Sequence, residues 1–71
     1  MTALERGLAV LRAFGPDNRL LGNAEIAARV GVPKSTVSRI TFTLTDLGYL
    51  ELDSVSGRYR LGPGVLTLGY D

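Results

Sequence analysis

The sequence predicts a mainly α-helical domain with one small β-hairpin. Three observations carry that expectation. Apolar residues recur at helical spacing in three separate stretches. Residues 49–61 then switch to strict alternation around a glycine-containing turn. Between these segments stand stop signals, Gly15-Pro16, Gly31-Val32-Pro33 and Gly62-Pro63-Gly64.

The first helix opens on Thr2, with Glu5 three residues on, the pattern of a capping box. Leu4, Gly7 and Leu8, Leu11 and Phe14 form its apolar stripe. Ala3, Val10 and Ala13 widen that stripe, so Ala3 and Val10 belong either to the core or to a dimer seam. Gly15-Pro16 ends the helix, because glycine accepts positive φ and proline cannot continue the ladder. Asp17-Asn18 continue the turn, and Leu20-Leu21 allow at most a short strand. Asn23 is expected to cap a second helix over Ala24 to Val30, with Glu25 favourable to its dipole. Gly31 closes it. Pro33 starts a third helix, whose inner stripe is Val37, Ile40, Leu44 and Leu47 and whose stop is Gly48. The opposite side presents Lys34, Ser35, Ser38, Arg39, Phe42 and Thr45.

In the hairpin, a turn over Ser54 to Gly57 sets Leu52 against Tyr59 and Leu50 against Leu61 on the core side. Asp53 then opposes Arg58, and Glu51 opposes Arg60, on the solvent side. Tyr49 and Tyr59 read as core or turn residues. Val65 to Tyr70 resemble the first turns of a fourth helix.

Composition narrows the function. The 71 residues allow one domain, with a marginal core. There is no cysteine and no histidine. Disulfides, thiolate or imidazole metal sites and Ser-His-Asp or Cys-His catalysis are therefore excluded. No catalytic site, metal site or cofactor is expected. Neither a membrane span nor a signal peptide is visible, so a soluble cytoplasmic module is the default expectation. The formal net charge of +1 conceals a segregation. Residues 1–25 sum to zero. Arg29, Lys34 and Arg39 give +3 across 26–45, Asp46, Glu51 and Asp53 give −3, and Arg58 with Arg60 gives +2 before Asp71. Segregated cations suit a nucleic-acid surface.

The second and third helices carry the most specific pattern. Ile26-Ala27, then Gly31-Val32, then Val37 and Ile40 supply the apolar lock, the small residue and the turn glycine of a helix-turn-helix. The hairpin behind it makes a winged helix-turn-helix. In that arrangement the third helix enters the major groove of duplex DNA, and the wing reaches the backbone or minor groove. Lys34 and Arg39 suit phosphates or the guanine edge; Ser35, Thr36 and Ser38 suit shorter hydrogen bonds. Asn23 and the N-terminus of the second helix would clamp a phosphate. Arg58 and Arg60 are both DNA candidates and an acid opposes each; Arg58, nearer the wing tip, is the better one, and Arg60 also reads as structural. Phe42 either packs on the wing, the preferred reading, or touches a thymine methyl. A winged helix serving protein–protein assembly is the alternative, and the absence of acid between Arg29 and Thr45 argues against it.

These residues also carry a family resemblance. Arg6-Gly7-Leu8-Ala9-Val10-Leu11, Ala24-Glu25-Ile26-Ala27, Gly31-Val32-Pro33-Lys34-Ser35-Thr36-Val37-Ser38-Arg39, Leu47-Gly48-Tyr49-Leu50 and Gly57-Arg58-Tyr59-Arg60-Leu61-Gly62-Pro63 resemble the N-terminal DNA-binding domain of IclR-type transcriptional regulators. The resemblance implies that Lys34, Ser35, Thr36 and Arg39 line the base-reading end of the recognition helix. It also implies a homodimer or dimer of dimers on a palindromic operator, and a small-molecule effector bound by a further C-terminal domain. The chain departs from the pattern at Ser38, where the family often has a longer side chain, and at Thr41-Phe42, where apolar residues are usual. The expected organisation is a DNA-binding domain over 1–62 (helix-turn-helix about 23–42, wing about 49–61), then the start of a linker helix over 63–71 leading to an effector domain absent from this chain.

Overall fold

The computed structural model describes residues 2–17 and 19–68. Asn18, Gly69 and Tyr70, assigned above to a turn and to the fourth helix, lie outside the described residues. The order is α1 (Ala3–Arg12), α2 (Asn23–Val30), α3 (Lys34–Asp46), β1 (Leu50–Asp53), β2 (Arg58–Leu61) and α4 (Gly64–Thr67). The mainly helical class with one hairpin is as the sequence predicts.

The α1 capping box is present. Thr2 Oγ1 accepts from the Glu5 N–H at 3.2 Å, and Glu5 Oε1 accepts from the Thr2 N–H at 2.8 Å. The Thr2 N–H, then the Thr2 hydroxyl, hold the Glu5 carboxyl below its usual range. The helix stops at Arg12, earlier than its apolar stripe suggests, and Ala13–Asp17 form a turn with Gly15 at φ +71°. Phe14 is therefore buried from the turn rather than from the helix.

The fully buried apolar residues are Val10, Phe14, Leu21, Ile26, Val37 and Leu50. The face of α1 differs from the expected one. Val10 is core, whereas Leu4 and Leu8 are exposed. At roughly 100° per residue, Leu8 lies about 160° from Val10, so one helix cannot bury both against one layer. On α3, Val37 is buried as expected, but Thr41 is fully buried and Leu47 is exposed. Leu47 is the C-cap, where the chain already turns away from the core.

The hairpin has the expected register, Leu50↔Leu61, Glu51↔Arg60, Leu52↔Tyr59 and Asp53↔Arg58. Leu21 joins it through an antiparallel bridge to Tyr59, with N–H to O distances of 2.9 and 2.8 Å. This bridge ties the wing to the segment entering α2. Leu52 is half exposed instead of core. At the wing base Gly62 and Gly64 cross the backbone of Gly48. A Cβ on Gly62 would lie 2.6 Å from the Gly48 carbonyl oxygen, and one on Gly64 would lie 2.7 Å from it. Among the described residues no helix is long and apolar enough to cross a membrane.

Candidate nucleic-acid interface

The α2–α3 junction sets the exposed face of α3. Ile26 from α2 and Val37 from α3 are both fully buried, and Ala27, Val32 and Ile40 pack around them. Gly31 at φ +80° ends α2, donating its N–H to the Ala27 carbonyl at 2.8 Å. The Pro33 carbonyl accepts from the N–H groups of Thr36 and Val37 at 3.0 and 3.1 Å, so Pro33 is the N-cap and Lys34 the first helical residue. No side chain caps α3 and no acid lies in its first turn. Its positive dipole end therefore adds to the charge of Lys34.

With Val37 and Thr41 facing inward, Ser35, Arg39, Phe42 and Asp46 follow one another along the outward side. Lys34, Ser35, Arg39 and Phe42 are exposed, and Thr36 and Ser38 are half-buried. Among the described residues neither Lys34 nor Arg39 makes an ion pair. Arg6 lines the same α1–α3 groove as Arg39, Thr36 and Thr43, a space of about 340 Å³. Among the described residues its buried Nε has no hydrogen-bond partner. Arg6 sits in a stretch of zero net charge, so charge segregation does not single it out; the groove joins Ala3, Arg6 and Gly7 to residues of α3 that are distant in the chain.

Asn23 requires a correction. Gly22, with φ −84° and ψ 168°, is the N-cap of α2, and Asn23 is already helical. Its Nδ2 donates to Ser38 Oγ at 3.3 Å, and its Oδ1 accepts from Thr41 Oγ1 at 3.0 Å. Asn23 thus ties α2 to α3, and Ser38 shares the tie. Glu25 Oε1 accepts from the Gly22 N–H at 2.9 Å, which sets a carboxylate beside the helix N-terminus expected to clamp a phosphate. A carboxylate at that end repels phosphate.

Thr41, a departure from the family's apolar pattern, is fully buried at this junction, a role not assigned to it from the sequence. Its hydroxyl lies 3.0 Å from both Asn23 Oδ1 and the Val37 carbonyl, and 3.1 Å from the Ser38 carbonyl. Its position four residues after Val37 was the available signal. Phe42 faces the wing residues Leu52 and Tyr59 across a cleft but is 73 % exposed, so little of its ring is covered there.

On the wing, Arg60 bridges two acids, with Nη1 3.4 Å from Glu51 Oε1 and Nη2 3.5 Å from Asp53 Oδ1. Arg58 is exposed, and its Nε lies 3.8 Å from Glu25 Oε1 rather than against Asp53. Asp53 turns instead into the loop, accepting from Ser56 Oγ at 2.6 Å and the Ser56 N–H at 3.0 Å. The Ser56 hydroxyl, then its N–H, and more weakly Arg60 hold the Asp53 carboxyl below its usual range.

Comparison with known proteins is consistent with this geometry. The IclR helix-turn-helix domain model matches residues 3–54. The HTH-type transcriptional regulator TsaQ1/TsaQ2 of Comamonas testosteroni is 45 % identical over 67 residues, covering 94 % of this chain and 24 % of that protein. The crystal structure of an IclR family transcriptional regulator from Brucella abortus superposes with a TM-score of 0.91 at 58 % identity, over 99 % of this chain and 27 % of that one. An IclR homolog from Microbacterium hydrocarbonoxydans, solved in complex with 4-hydroxybenzoate, superposes with a TM-score of 0.86 at 29 % identity, over 96 % of this chain and 28 % of that one. The chain thus spans about a quarter of the length of these relatives. The buried Ile26–Val37 lock, the wing and a family model that matches most of the chain agree, and the chain belongs to the IclR helix-turn-helix domain family.

Proposed function

We propose that this chain binds double-stranded DNA sequence-specifically, as the reading head of a cytoplasmic, non-enzymatic regulator of a bacterial operon. The observation that carries the proposal is the outward face of α3. There Arg39 stands exposed and, among the described residues, without an ion pair, beside Lys34 and Ser35, on a helix positioned by α2. Arg39 takes a guanine edge or a phosphate; Lys34, Ser35 and Thr36 contact the groove around it. Ser38 acts mainly by holding Asn23, and Asn23 mainly by orienting α3. Arg58 reaches the backbone from the wing, and Arg60 stiffens the wing.

In the longer protein, residues 1–62 form the DNA-binding unit and α4 begins a linker to a domain that binds a small-molecule effector. Two copies on a palindromic operator place their recognition helices about one helical turn apart, ~10 bp, or a multiple of it. The complex of the Microbacterium homolog with 4-hydroxybenzoate supports an organic acid as the effector class.

Selection of bound duplexes from a random library, followed by affinity against salt, tests the proposal. A palindromic consensus is expected, with log affinity falling by about 0.9 per neutralised phosphate for each unit of log salt. No enrichment overturns it. Salt-independent capture of protein instead of DNA points to an assembly module.

A further inference from the structure

Resting on the DNA-binding reading above, we propose that Phe42 is a specificity-determining residue that reads the C5-methyl group of one thymine in each half-site. Three observations converge on it. Phe42 is 73 % exposed and belongs neither to the core nor to the residues packed around it. It follows Ser35 and Arg39 at the i, i+4, i+7 spacing, so it shares the outward face of α3 with them. It also lines a cleft of about 270 Å³ between α3 and the wing, with Thr45, Asp46, Leu52 and Tyr59. Leu52, half exposed, adds apolar surface there.

The chemistry of the groove selects the ligand. The base edges of the major groove present hydrogen-bond donors and acceptors and one apolar feature, the thymine methyl. A phenyl ring offers nothing to the donors and acceptors, and loses affinity by desolvating them. Against the methyl it gains contact and buries its own exposed surface. Ser35 to Phe42 spans about 10 Å of one helix face, so the methyl lies within the half-site that Arg39 reads. Asp46, one turn further along the same face, repels phosphate and ends the contact surface beyond Phe42.

The test uses the full chain, duplexes selected from a random library, and the same duplexes with single thymines replaced by deoxyuridine, which removes only the methyl. At one position per half-site the wild type is expected to bind the deoxyuridine duplex about fourfold more weakly, the factor for one buried methyl. Phe42→Ala is expected to bind both duplexes equally, and Phe42→Leu to retain part of the discrimination. Because Phe42 is exposed, both variants should unfold at the wild-type temperature, which a thermal melt checks. If the wild type shows no deoxyuridine effect at any position, or Phe42→Ala keeps the full ratio, the inference is overturned while DNA binding stands. If no duplex is bound at all, the DNA-binding reading falls and takes this one with it.

Discussion

Replacing Arg39 by alanine separates reading from folding. Among the described residues the guanidinium makes no ion pair, and the helical bond from Thr43 Oγ1 at 3.1 Å ends on the Arg39 main-chain carbonyl, which alanine keeps. Alanine is also the better helix former. The expected change in stability is therefore within about 0.5 kcal/mol, the range of surface substitutions. The loss in binding is larger. A bidentate arginine–guanine contact discriminates by about 1–3 kcal/mol, which is roughly 5- to 150-fold. A dimer carries the substitution twice, so the selected duplex should lose roughly 2–6 kcal/mol when both half-sites are read. Fluorescence anisotropy on selected and scrambled duplexes, between about 50 and 200 mM salt, resolves the role. A base contact predicts a large loss on the selected duplex, a small loss on the scrambled one, and relaxed sequence preference in repeat selection. A phosphate contact predicts equal losses on both and a salt slope shallower by about 0.9 per site. Arg39→Lys should restore charge but not the bidentate fork. Unchanged affinity of Arg39→Ala for both duplexes would refute the assignment of α3 as the reader.

Three further outcomes follow from the geometry. Thr41→Val keeps the shape but removes the donor to Asn23, and should cost about 1–2 kcal/mol, seen as a lower urea midpoint with unchanged slope. Gly62→Ala drives a Cβ to 2.6 Å from the Gly48 carbonyl oxygen, so backbone must shift and the melting temperature should drop by several degrees, the scale of about 1–3 kcal/mol for overpacking; a melt equal to wild type would contradict that crossing. The Asp53 carboxyl titrates below its unfolded value, about 3.9, so its stabilisation is present above that pH and is lost as pH falls through the lower folded value. Asp53→Asn should therefore flatten the acid limb of the stability–pH curve below about pH 4, measured by denaturation at a series of pH values.

Much of the fold was legible because it rests on local rules. The Thr2–Glu5 box, the Gly31 stop and the hairpin register are short-range patterns, and each is found as read. The helix-turn-helix was legible for a related reason: Ile26, Ala27, Gly31 and Val37 must occur at fixed spacing for two helices to cross closely. Faces were less legible. Leu4 and Leu8 looked like core because leucine is apolar, but the side of α1 that is buried depends on where α3 lies. Asn23 looked like a cap because its type favours one, yet Gly22 took that position and left the amide free to join Ser38 and Thr41.

Charge shows the same division. The sequence by itself determined that cations and acids are segregated, that histidine and cysteine chemistry is impossible, and that α2 and α3 form a crossing pair. Tertiary structure decided which cations are available. It neutralised Arg60 between Glu51 and Asp53, brought Arg58 toward Glu25, set Arg6 beside the Arg39 groove, and left Arg39 and Phe42 outward. The physical reason is range. Caps, turns and strand register are settled within a few residues, whereas pairing and burial depend on groups that only the packed chain brings within a few ångströms.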